Sequence, residues 1–368
     1  MSAGDPGAED DVVEGPADRA GRGRRIVQGL LSLAVVGVIL WVVLGQFTEL
    51  SDVWDAMRSL TAADAALLGL ATVWNLVTYW VITVIATPGL TYPQAAVLTE
   101  STTAVSNALP AGSALGVGLC YGMLGSWGFS RSRATLSVIV TGIWNNFAKL
   151  GMPVVALSIL ALQGQPGGGR VVAALLGLAG LVGAIVVFAL VLRSEDFARR
   201  AGLLAGDWAS AARRIVGRGP VTGWDHAVLR FRGRVVGLVR QRWRSLTLWT
   251  VVGHLSLFAV LLVALRAMGV SEDEVGWAEA LATFAFARLL TAVPLTPGGV
   301  GIVELALIAG LRGAGGDDAP VVAAVLTYRL LTYVLAIALG AATYLYWRRN
   351  RSWLGSAPPL PASMAAAG

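Results

Sequence analysis

Charge is scarce in this chain. Asp, Glu, Lys and Arg make up 14% of its 368 residues, where a soluble domain carries about 25%. Titratable side chains suited to metal or redox chemistry are scarcer still. A single cysteine, Cys120, excludes an intrachain disulfide, and the two histidines, His226 and His254, form no recognisable metal-ligand set, so neither a metal nor another cofactor is expected. Lysine occurs once, at Lys149, and arginine supplies the rest of the positive charge. The net charge of +6 lies mostly in arginines that border apolar runs. That placement sets orientation in a bilayer and gives no reason to expect nucleic acid. What the chain has in quantity is apolar surface, 56% of residues, which places it among polytopic helical membrane proteins.

In chain order, residues 1–25 are rich in Gly, Ala, Asp and Glu and predict a disordered tail. Arg22, Arg24 and Arg25 then precede an apolar run, Ile26 to Phe47, that is too long for a signal-peptide core and predicts a retained first span with the N-terminus cytoplasmic. Thr48 to Ala63 reads equally as an interfacial segment or an ordinary loop helix. The first membrane half, residues 26–192, continues with spans at 64–86, 134–162 and 171–192 and a broken segment at 94–127. The long third span should kink near Pro153. A basic stretch, 193–244, holds a dozen arginines against four acids and reads as a cytoplasmic linker. It either lies as amphipathic helices on an anionic membrane surface or is a solvated connector that only fixes orientation. The second half, 245–347, has spans at 246–268 and 320–347 around a second broken segment, 277–313, and a cytoplasmic tail fills 348–368.

The stretch Arg288 to Glu304, RLLTAVPLTPGGVGIVE, concentrates the oddities. Pro294, Pro297, Gly298, Gly299 and Gly301 cannot continue one regular helix, and a bilayer accepts irregular backbone only where it is buried in protein or lines a wet cavity. Arg288 and Glu304 add charge that costs roughly 2.5 to 3.5 kcal/mol each near a membrane centre. Its counterpart in the first half is SNALPAGSALGVGL, around Asn107, Pro110 and Gly112. Counting arginine clusters as cytoplasmic makes the first hairpin open inward and the second outward. The expected fold is therefore all-α, with about six full spans and two broken re-entrant helical hairpins in an inverted-repeat arrangement.

The segment PLTPGGVGIVE (Pro294 to Glu304), with Arg288 before it and TYRLLTY (Thr327 to Tyr333) after it, resembles the lysylphosphatidylglycerol synthase transmembrane family, the flippase-like membrane region of the multiple peptide resistance proteins. The likeness in layout runs from Ile26 to Trp347. In the first half, Asn107, Pro110 and Gly112 match the family's looser pattern, whereas Ala114 to Gly118 is more apolar than that pattern. Full-length synthases of this kind carry a soluble aminoacyl-transfer domain after the membrane region, and only a short tail follows the last span here. The resemblance thus implies the translocating part without the enzyme, in a bacterial-type plasma membrane with both termini cytoplasmic.

A flippase-like role would need a polar groove and a means of neutralising phosphate. Half-helix N-termini near Gly298, Gly299 and Gly301 offer backbone N–H groups, Pro297 forces the break, and Thr296 adds a hydroxyl. Arg288 and Arg329 are candidate phosphate partners. Glu304 would hold an arginine or a cationic headgroup; Glu100, Asn107 and Lys149 complete the candidate set. Plainer readings stand beside these. Arg288 and Glu304 form a structural ion pair, the Pro-Gly cluster is a kink, Glu100 and Lys149 reach an interface, and Asn145 and Asn146 join helices. TPGGVG is no P-loop, since it lacks the Lys-Ser/Thr ending. The expected substrate is an anionic phospholipid or lipid-linked precursor, and a homo-oligomer is allowed for. The alternatives are a secondary transporter of a small anion, a membrane transferase using lipid phosphate (its acids at Glu272, Asp273, Glu274, Asp317 and Asp318), or an accessory subunit.

Overall fold

The computed structural model describes residues 55, 58, 60–109, 111–164, 168–194, 196, 200, 224–291 and 296–356. The expected N-terminal tail, residues 357–368 of the C-terminal one, the first span at 26–47, most of the 48–63 segment, residues 201–223 of the linker, and Pro110 and Pro294 lie outside them. All elements among the described residues are helical: α1 (Ala62–Ala86), α2 (Tyr92–Ala108), α3 (Gly112–Ser126), α4 (Arg131–Leu162), α5 (Gly168–Arg193), α6 (Trp224–Ala267), α7 (Trp277–Leu290), α8 (Ile302–Gly313), α9 (Asp318–Arg329) and α10 (Leu335–Arg349). A short 3-10 turn, Pro297–Gly299, precedes α8, and a π-helical turn, Leu330–Val334, joins α9 to α10.

Local chemistry explains where these helices start. Thr61 and Asp64 cap each other at α1, Thr91 and Gln94 do the same at α2 with Pro93 in its first turn, and the Ser130 side chain accepts from the Arg133 N–H at α4. Among the described residues, α1, α4, the Arg232–Ala267 part of α6, and Asp318–Arg349 are long and apolar enough to cross a membrane; α5 contributes a shorter apolar stretch, Leu175–Leu190. Pro153 sits inside α4, which continues past it to Leu162. α6 runs unbroken from the basic segment into the apolar one, through residues 244 and 245. Val235 and Leu238, among its arginines, are as buried as Leu246 beyond them, so the same helical face serves both segments.

The two broken segments form helix pairs α2/α3 and α7/α8. Their arms have 17, 15, 14 and 12 residues, roughly 18 to 26 Å each, shorter than the ~30 Å hydrocarbon core. α1 packs along α6, α2 along α10, and α7 along α4. Close approach is built in at Gly340, where an added Cβ would come within 2.3 Å of Ala104 Cβ and of the Glu100 carbonyl oxygen. Three clusters bury the apolar faces. Leu90, Trp127 and Phe129, at the base of α2/α3, pack with Ala134 at the start of α4. Ala86, Leu136 and Leu246 form a neighbouring cluster. Val270 and Val275, leading into α7, share a third cluster with Leu68, Leu160, Leu265 and Met268. The bases of the two hairpins thus lie toward opposite ends of α4.

Candidate functional site

Between these helices lies a cavity of about 640 Å³. Both hairpins line it. α2 contributes Glu100 and Asn107, α3 contributes Ser113, α7 contributes Arg288, and the bend before α8 contributes Thr296, Gly298 and Gly299. Lys149 from α4 and Arg329 from the end of α9 complete the part of the wall that sequence reasoning picks out. Gly301 and Glu304 are not among its lining residues.

Glu304 acts from behind the wall. Its Oε1 accepts from Arg329 Nε at 2.6 Å and its Oε2 accepts from the Gly301 N–H at 2.8 Å, with the two side chains of the ion pair 6% and 13% exposed. This corrects two expectations. The structural ion pair of Glu304 is with Arg329, on the last span, and not with Arg288. The Gly301 N–H at the start of α8, expected to receive a phosphate, already has a carboxylate. A negative side chain in the first turn of a helix is favourable for the same dipole reason that made the position attractive for an anion.

Arg329 reaches three elements. Besides Glu304, its guanidinium lies 4.4 Å from the centre of the Tyr333 ring, and its Nη2 is 3.4 Å from the Gly298 carbonyl. Tyr333 then donates its hydroxyl to the Asn107 carbonyl at 3.0 Å, at the end of α2. The breaks of both hairpins therefore meet at the π-helical turn. Gly298 is required there: its φ is 59°, and a Cβ would sit 2.3 Å from Tyr333 Cε2 and 3.1 Å from Asn107 Oδ1. Ala111, at the other break, holds a φ of 55°.

The other candidates are placed as follows. Glu100 is 4% exposed and accepts from Trp80 Nε1 at 2.7 Å. Lys149 is 9% exposed and faces the cavity, so it does not run out to an interface. Arg288 ends α7, and its Nε is buried without a hydrogen-bond partner. Asn145 lines the cavity beside Lys149, whereas Asn146 does not. Sequence reasoning passed over His254, Asn75 and Tyr328, which also line it; the available signal was a polar side chain in the middle of an apolar helix. Asn75 joins α1 to α6 through Ser256 Oγ at 2.8 Å and the Gly253 carbonyl at 3.2 Å. Among the described residues, no group of His, Cys, Asp and Glu is arranged to hold a metal. The acids proposed for a transferase stand apart from the cavity: Glu272 pairs with Arg266, and Asp318 with Arg312.

Apolar helices of spanning length around a polar, charge-lined interior define a multi-pass integral membrane protein. The chain belongs to the lysylphosphatidylglycerol synthase transmembrane-region family, whose model matches residues 29–340. It is also similar to the UPF0104 membrane protein MJ1078 of Methanocaldococcus jannaschii, with 42% identity over 62 residues, which is 17% of this chain and 26% of that protein. The matched stretch thus spans about a quarter of that relative.

Proposed function

We propose that this protein moves an amphiphile with an anionic headgroup, a phospholipid or lipid-linked precursor, between membrane leaflets. The observation that carries this reading is a cavity to which both broken hairpins contribute charged and hydroxyl side chains. A headgroup needs such a polar route while its tails stay in lipid. The family is named for the transmembrane region of a lysylphosphatidylglycerol synthase, which suits a route for a lipid headgroup.

The alternating-access frame draws support from the packing. The pairings of α1 with α6, α2 with α10 and α7 with α4 are those expected if α1–α4 and α6–α10 are two copies of one unit related by a two-fold axis. With short arms and bases toward opposite ends, the hairpins read as re-entrant and inverted. Arg131, Arg133, Arg242, Arg348 and Arg349 mark the cytoplasmic end of a plasma-membrane protein in this reading. The basic start of α6 then lies near anionic headgroups.

The test is reconstitution of the full chain into vesicles carrying a headgroup-labelled fluorescent phosphatidylglycerol, followed by a membrane-impermeant reductant. Wild type should make inner-leaflet probe accessible, and Arg329→Ala should slow this. Bleaching confined to the outer leaflet in wild type defeats the proposal, and protein-dependent uptake of phosphate by the same vesicles would favour a small-anion transporter.

A further inference from the structure

We propose that Lys149 and Arg288 form a receptor for a doubly charged phosphate group, a phosphomonoester or a diphosphate, at the head of the transported lipid. The inference rests on the translocase reading and narrows its substrate. Lys149 is 9% exposed and lines the cavity, and among the described residues its side chain has no hydrogen-bond or ion-pair partner. Arg288 projects from the last turn of α7, the helix that packs along α4, and its Nε is buried and unpartnered. The two charges repel each other, and both act on His254.

Among the described residues, no carboxylate forms an ion pair with them. Glu304 is committed to Arg329 and the Gly301 N–H. Glu100, on the same cavity wall, accepts from Trp80 and makes no ion pair with either cation. Two like charges, Lys149 buried and Arg288 half-buried, are unfavourable side by side, and an anion from outside the chain would remove that cost. A phosphodiester brings one negative charge and leaves one cation uncompensated. A phosphomonoester or diphosphate neutralises both and has oxygens enough for the planar guanidinium fork and the ammonium together.

His254 adds a third contact. It is 1% exposed, and its Nδ1 lies 3.0 Å from the Thr250 carbonyl, which can only accept, so Nδ1 carries the proton. Nε2 is then an acceptor, and it is buried without a partner. A diphosphate that keeps one proton still carries two negative charges and can donate to it, whereas a phosphomonoester is doubly charged only once that proton is gone and a phosphodiester has none.

Native mass spectrometry of the full chain in detergent, with equal amounts of dioleoyl phosphatidic acid and dioleoyl phosphatidylglycerol, tests the assignment. Wild type should retain phosphatidic acid about tenfold over phosphatidylglycerol, the worth of one charge-assisted contact. Lys149→Gln and Arg288→Gln should abolish the preference, and Lys149→Arg, which keeps the charge, should restore it and control for folding. Equal retention by wild type, or a preference that survives in both Gln variants, overturns the proposal. Competing inorganic pyrophosphate separates the sources. Weak displacement assigns the site to a lipid; displacement as strong as by phosphatidic acid, lost in Lys149→Gln, keeps the receptor but rejects the lipid source. Phosphatidylglycerol movement in vesicles without the preference sinks only this inference. The preference without any lipid movement sinks only the translocase.

Discussion

Replacing Glu304 by Gln removes the charge from a pair whose members are 6% and 13% exposed, and leaves Arg329 buried beside it. Breaking such a pair from one side costs about 3 to 5 kcal/mol. The double variant Glu304→Gln/Arg329→Gln should cost less than the sum of the singles, since no lone charge remains, and thermal unfolding in detergent would show it. Additive losses would mean the contact contributes little. At Gly298, an alanine meets Tyr333 Cε2 at 2.3 Å while φ stays at 59°. Gly298→Ala should lower the melting temperature, and Tyr333→Ala should recover only part of the loss, because the left-handed backbone still costs about 1 kcal/mol. Full recovery would show that the clash was the whole effect. The sequence marked Arg288, Glu304 and Arg329 as costly charges in apolar surroundings. It did not say which cation Glu304 holds, because Arg288 and Glu304 sit on different arms of a bent hairpin, and only the bend decides which charge Glu304 faces.

Element by element, the breakers were readable and the continuities were not. Gly and Pro clusters announced the breaks between α2 and α3 and between α7 and α8, because each removes a helical hydrogen bond or frees the backbone. The 193–244 linker was expected to end where the membrane half begins, yet α6 passes through 244 and 245. Arginine ends a span but not a helix, and arginine is a good helix former. The π-helical turn Leu330–Val334 left no mark in sequence, since five residues in a wider turn use the same side chains as a regular one. It holds one residue more than a regular helix needs. Deleting Leu330, 48% exposed, should return the stretch to α-helix, leave α9 and α10 in their packing, and turn Tyr333 away from Asn107. Melting should stay near that of wild type while lipid movement falls about tenfold or more, a loss of about 1.4 kcal/mol in the coupling of the two breaks. Unchanged transport would make the turn a packing accommodation.

For the whole molecule, arginine placement in the sequence proposes an orientation, because it obeys bilayer physics independently of side-chain contacts. The central cavity was not, since it depends on which helices neighbour one another, and local periodicity carries no such information. The proposed inverted arrangement would join the two, and it makes a strict demand. Arg131 is exposed at the base of the first hairpin, and Asp273 is exposed in the turn before the second. Their neighbours Ala134 and Val275 belong to clusters at opposite ends of α4. Cys120 is buried and is replaced by Ser to give a cysteine-free background. In intact cells, a membrane-impermeant maleimide should label Asp273→Cys and spare Arg131→Cys, and in inside-out vesicles the pattern should reverse. Both positions sit at helix bases, away from the cavity lining, so whichever side the cavity opens to, their sidedness should hold. Labelling of both from one face would show that the hairpins enter from the same side. The two-fold relation would then be lost, and with it the expectation that a headgroup is passed from one hairpin to the other.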